Sequence, residues 1–492
     1  MAEEFVSEQI KPVAGTFDLK DLPGHCPESA LSDEGETGMI TKSAIAYCIS
    51  GWLTVAAAFS AGAGNWPGWR GPDGNALSPE KKLPAEWGAE KNIAWKVALP
   101  GAGWSQPIVW GDKIFVTTAE TDKQTKPRGG EFDPGFGFFG GIKPPAVVYR
   151  WKVLCLDGAT GKVLWEQTAH EGKPRTPISR NNPYASETPV TDGERLIAYF
   201  GNTGLYCYDL SGKFLWSKDM EAYPMQMGWG TGSSPVLLGD RVFIQCDNDK
   251  ASFLAALDKK TGDELWRVPR DEKSNWSTPY IWKNKQRTEL VTAGGAKMRS
   301  YHPETGELLW ELSGGGRTAI TPVGDEELVY VDSYDRLMGG RGSLAAIRPG
   351  GAGDISLKGG QTSNSFVAWS VPLRSYRVSS PLLYAGCLYQ LDQQTGTVRC
   401  FDARTGKQHY SQRLPGARGF TSSAWASDGK VFCLDETGVT VVVAAGPKLQ
   451  IVATNKLDAE TFWSSAAVIG ENLLLRGVDH LYCITKQARP AQ

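Results

Sequence analysis

The side chains that could do chemistry are sparse in this 492-residue chain. Its five histidines, His25, His170, His302, His409 and His480, are scattered, and no Cys/His spacing suits a zinc site. There is no G-x-S-x-G, H-E-x-x-H or phosphate-binding loop, so no nucleophile elbow, zinc protease or nucleotide site is expected. The acidic run CDNDK (246–250) could bind a cation but reads better as a solvated turn, and RGPDGN (70–75) likewise reads as a turn. No metal site is expected. Nine cysteines raise the question of disulfides. Cys155, Cys207, Cys400 and Cys483 recur at one place in four similar strands, and Cys246 and Cys433 lie in two other strand-like runs. A small residue repeated at a fixed strand position is a packing choice, so buried free thiols explain them.

Tryptophan, 18 copies spread along the chain, is the more informative residue, together with 57 glycines. VLCLDGATGKVLW (153–165), LYCYDLSGKFLW (205–216), LAALDKKTGDELW (254–266) and MRSYHPETGELLW (298–310) share one template. VRCFDARTGKQHY (398–410) is a weaker copy with Tyr410 in the Trp position. Each reads as strand, tight turn with Gly at the φ > 0 position, and strand. The Trp is expected to end the second strand and pack between neighbouring sheets.

A second marker runs in step: SQP (105–107), ETP (187–189), SSP (233–235), STP (277–279), ITP (320–322), SSP (379–381), SSA (422–424) and SSA (464–466). Six of the seven steps between them are 42–59 residues and the first is 82. About 40–45 residues is the period of a four-stranded propeller blade. The expected fold is therefore all-β: an eight-bladed β-propeller of four-stranded antiparallel blades over residues 91–486. KNIAWKVALP (91–100) is a fourth strand without a third, and HLYCITK (480–486) a third without a fourth. Pairing the N- and C-terminal strands would complete one blade and close the ring.

Residues 1–38 are a polar, acidic leader, or precede a true start at Met39. Segment 39–64 contains Ser43–Ala63, without a charged side chain, and ends in Ala61-Gly62-Ala63, an A-x-A site. It reads as a cleaved signal peptide or an uncleaved membrane anchor, which implies export to the periplasm or beyond. Residues 65–90 form an N-terminal segment and 487–492 a tail. A net charge of −2 gives no footprint for nucleic acid or an anionic membrane.

The template A/C-x-D-x-x-T-G-x-x-x-W closely resembles the repeat of PQQ-like (quinoprotein-type) β-propellers, the superfamily of quinoprotein alcohol dehydrogenases and of the assembly scaffold BamB. NWPGWRGPDGNALS (65–78) is similar to the opening of secreted, planctomycete-type members. The resemblance implies a fold and leaves two functions: a BamB-like binding scaffold without cofactor, or a dehydrogenase using PQQ with calcium. Such enzymes carry a disulfide between adjacent cysteines, and this sequence has no Cys-Cys pair. They also clamp the quinone on a Trp. Trp104, Trp276 and Trp463, each three residues before the marker Pro or its equivalent, are the candidates. The scaffold reading is preferred, with no catalytic residue assigned.

Insertions then indicate where a partner would dock. KQTKPRGGEFDPGFGFFGGIKPPA (123–146) separates a second from a third strand, and 170–186 separates a fourth strand from the next blade. By strand parity both project from one face. Phe132, Phe136, Phe138, Phe139, Arg175, Arg180 and Tyr184 are therefore the expected contacts for a protein or peptide, on a monomeric propeller. A third insertion, 347–365, should emerge on the opposite face as a flexible excursion.

Overall fold

The computed structural model describes residues 64–123, 143–335 and 341–486. The leader, the apolar segment 39–63 and Phe132, Phe136, Phe138 and Phe139 lie outside the described residues. Among the described residues no helix is long and apolar enough to cross a membrane.

The marker residues begin the innermost strand of each blade, and eight antiparallel blades follow in chain order around a ring. Blade 1 runs through Ile108–Trp110, Lys113–Glu120, Tyr149–Asp157 and Val163–Gly172. Blade 8 contains Ala467–Ile469, Asn472–Arg476 and His480–Ile484, and its outer strand is Ile93–Ala98 from the other end of the propeller. Trp95 pairs with Cys483 and Ala98 with His480 in that closing ladder.

Neighbouring blades are tied by a belt of hydroxyls. The backbone N–H of Thr188 donates to Ser234 Oγ at 3.0 Å, and that of Ser234 to Thr278 Oγ1 at 3.0 Å. The N–H groups of Thr321, Ser380 and Ser423 donate in the same way to Ser380, Ser423 and Ser465, each at 2.9 Å. In blade 1 Gln106 takes this place: its N–H reaches Thr188 Oγ1 at 2.9 Å and its amide donates to the Ala466 carbonyl of blade 8. The repeated Ser or Thr thus serves as acceptor for one blade and donor for the next, which satisfies backbone groups buried around the axis.

The Trp template ties the blades at their periphery. Trp165 is the third residue of its outer strand, Val163–Gly172, and not the last as expected, because the strand continues past it. Its indole donates to the Leu210 carbonyl of blade 2 at 3.2 Å. Trp216 and Trp369 repeat this contact on Lys259 and Ala403, both at 3.0 Å. The turn glycine of the next blade lies under each ring: a Cβ on Gly212 would come within 2.8 Å of Trp165, and one on Gly262 within 2.6 Å of Trp216. The template Asp fixes that turn. Asp157 Oδ1 accepts from the Thr160 N–H at 2.8 Å and from its hydroxyl at 2.6 Å. The seven cysteines of the propeller are free and buried.

Two sequence expectations need correction. Insertion 347–365 does lie between third and fourth strands, but it is not a loose excursion. Gly353–Asp354 adds a parallel fifth strand beside Trp310 and Glu311 of blade 4, and Ile355 is buried there. Trp310 accordingly departs from the template and donates to Glu289 at 2.7 Å. CDNDK is not a solvated turn either, since Asp247 forms a fully buried ion pair with Arg270 at 2.7 Å. The partner comes from the next inter-blade loop, 23 residues downstream.

Candidate functional site

The two ends of the channel are built differently. Residues 64–78 form a strap across one end, where RGPDGN is far more than a local turn, and 79–88 continue to the outer strand of blade 7. Arg70 is fully buried, and its guanidinium donates to the carbonyls of Pro381 at 2.7 Å and Gly74 at 3.0 Å. Its N–H reaches Gln106 in blade 1 at 2.8 Å, while Trp69 donates to Thr321 in blade 5 at 3.0 Å. Asn75 donates to the Gly324 carbonyl, Leu77 pairs with Ala426 of blade 7, and Trp87 N–H donates to Asn455. The strap therefore spans the axis and is held by blades on opposite sides of it.

The other end is a funnel of about 950 Å³. Loops between blades and between second and third strands form its wall, as strand parity requires. Trp276 and Trp463 line it, and Trp104 stands behind Trp463 with ring centroids 5.4 Å apart. A second aromatic pair, Trp229 and Trp276, has centroids 5.6 Å apart. Two of these rings are fixed by their own N–H groups: Trp104 donates to the Asn181 carbonyl at 2.8 Å and Trp276 to that of Gly230 at 2.7 Å. All three tryptophans singled out in the sequence thus gather at one mouth.

Insertion 170–186 also reaches this mouth, but through Ser179, Asn181 and Asn182. Arg175 is instead paired with Asp219 at 2.8 Å, and the Tyr184 hydroxyl donates to the Thr176 carbonyl at 2.9 Å. Tyr184 packs edge-on against Tyr149 and Trp151, and Arg180 is exposed. Sequence reasoning missed Trp229, Arg317, Arg418, Lys456 and Glu436, all of which line the funnel. Arg317 and Arg418 precede the ITP and SSA markers by three and four residues, so the loop before each marker was the available signal.

Carboxylates near the funnel are already engaged. Asp435 accepts from the N–H groups of Arg418, Thr437 and Val439 at 2.8–3.0 Å. Glu460 accepts from the Asp479 N–H at 2.8 Å and from the hydroxyl of Tyr482, with His480 Nδ1 at 3.2 Å. Glu436 accepts from the Thr421 hydroxyl, and burial pushes its carboxyl above the usual range. No group of three or more His, Cys, Asp or Glu poised to hold a metal occurs among the described residues. The mouth offers aromatic faces and cations for binding.

The sequence model of a family described as outer membrane protein assembly factor BamB matches residues 131–267 and 250–347. No curated protein sequence matches the chain. Among solved structures, BamB from Moraxella catarrhalis is similar over 80% of this chain and 99% of its own, with a TM-score of 0.54 at 13% identity. The quinohemoprotein alcohol dehydrogenase from Comamonas testosteroni is similar over 87% of this chain and 82% of its own, with a TM-score of 0.54 at 11% identity. These likenesses establish the propeller fold, which a scaffold and a dehydrogenase share.

Proposed function

We propose that this chain, an eight-bladed propeller carrying the PQQ-like repeat, is an exported binding scaffold that receives a protein or peptide partner at the unstrapped face. The observation that carries this reading is the asymmetry of the channel. One end is crossed by the strap, while the other opens as an aromatic funnel lined in part by the insertion 170–186. Loops on a rigid ring can be varied without disturbing the blades, which is how propellers present recognition surfaces. The apolar segment ending in Ala61-Gly62-Ala63 supports export.

The dehydrogenase reading receives less support. Binding PQQ with calcium calls for free carboxylates at the mouth, and those present are spent on protein partners. The vicinal cysteine pair is missing from the sequence. The residues present do not fit that group, so no redox step is assigned. Deleting residues 123–146 should leave the melting temperature within a few degrees of the parent and abolish recovery of a co-purifying protein. Unchanged recovery would remove the docking face from blade 1. Titration with PQQ and calcium should give no saturable change in quinone absorbance; stoichiometric binding would restore the enzyme reading.

A further inference from the structure

The charged groups of the funnel are three cations and two carboxylates, Glu436 and Glu460, and the carboxylates are already held by protein donors. Arg317, Arg418 and Lys456 line it. Arg317 is half-buried and the other two are exposed. Among the described residues the charged ends of these three have no carboxylate or hydrogen-bond partner. The neighbouring carboxylates are occupied, as described above. A chain with a net charge of −2 has therefore gathered unpaired cations at one mouth. A local excess of this kind attracts anions whatever the overall charge.

The polar side chains limit what sort of anion fits. The Asn182 amide is consumed by the carbonyls of Trp229 at 2.8 Å and Thr231 at 3.2 Å. Gln393 donates to the Thr421 hydroxyl at 3.2 Å. A sugar ring carries hydroxyls around its whole edge and needs many free amides, whereas carboxylates need cations and apolar side chains need ring faces. The volume, about 950 Å³, lies at the upper end of the small-molecule range and accommodates a short run of chain entering from the open end.

We propose that the funnel takes an acidic, aromatic segment of a polypeptide, with Arg317, Arg418 and Lys456 receiving its carboxylates and Trp276 and Trp463 its apolar side chains. This rests on the scaffold reading and adds the chemistry of the segment it recognises. Guanidinium groups suit the task, because their fixed fork pairs with a carboxylate through two parallel N–H donors.

The test uses the full chain and three probes: an eight-residue peptide alternating Asp and Phe, its Asn–Phe counterpart, and polygalacturonate. Titration calorimetry should give saturable binding of the Asp peptide only, weakening as salt is raised from about 0.05 to 0.5 M. The double variant Arg317→Gln/Arg418→Gln should bind it roughly fivefold more weakly, since exposed pairs contribute little each, with the melting temperature unchanged. The conservative Arg317→Lys/Arg418→Lys variant should recover part of the loss. Equal binding of the Asn peptide, no binding of either peptide, or preferential binding of polygalacturonate each overturns the proposal. If the Asp peptide fails while deletion of 123–146 still abolishes partner recovery, only the ligand class falls. If recovery survives that deletion, the docking face itself is wrong.

Discussion

Glu187 belongs to the marker ETP of blade 2, yet its carboxyl is 1% exposed. Burial raises it to about 7, and the Thr231 hydroxyl and backbone amides offset only part of that rise. An acid whose pKa rises on folding holds its proton more tightly in the native state. Its favourable contribution is complete below its ordinary value near 4.5 and is lost as pH climbs through about 7. Glu187→Gln should therefore raise the melting temperature relative to the parent at pH 8.5, and the gap should close by pH 5. A pH-independent gap would mean the carboxyl is not the cause. Such residues were hard to read in advance. Glu187 sits where six of the seven other markers carry Ser, and only the three-dimensional neighbours, Thr231 and the Gly201 backbone among them, reveal that water is excluded.

At the scale of the blade, the turn glycine and the tryptophan beneath it are one device. Gly262 has φ +79° and no room for a Cβ against Trp216, whereas Gly239 has φ +60° with nothing within 4 Å. Gly239→Ala should cost about 1 kcal/mol, the strain of the left-handed backbone alone. Gly262→Ala should cost about 2 kcal/mol more, because the ring must move; denaturant melts of the two variants measure the difference. This device was legible because the template, at most thirteen residues long, carries both its glycine and its tryptophan and recurs, although the two that meet belong to successive blades. The hydroxyl belt was legible as spacing, although its role as mutual donor and acceptor was not. What escaped had distant causes. CDNDK looked solvated because Arg270 lies beyond the next two strands, and 347–365 looked loose because its partner strand belongs to the preceding blade. At the funnel, the tryptophans were found through their fixed offset from the markers, while Arg317 and Arg418 occupy loops of unequal length.

Across the whole molecule, the strap is the least repetitive element and has the widest reach. It buries Trp66 and seats Arg70 among the carbonyls of Ser380 and Pro381. Removing residues 1–90 while keeping Ile93–Ala98 should lower the melting temperature by about 5 °C or more, with the ring still closed. A truncated chain that melts with the parent would reduce the strap to a covering. Arg70 could not have been foreseen: beside the local carbonyls of Gly74 and Asn75, it is held by backbone oxygens some 310 residues away, which no local pattern encodes.

The closing blade also sets a clock. Among the described residues Ile93–Ala98 finds its one sheet partner in His480–Ile484. At 5–20 residues per second a ribosome takes about 20–80 s to travel from one to the other. Until His480–Ile484 is made, Ile93–Ala98 lacks its ladder partner and is a template for pairing with a neighbouring chain. Chaperoning is needed most during those seconds, and it ceases to matter once the final strand is delivered.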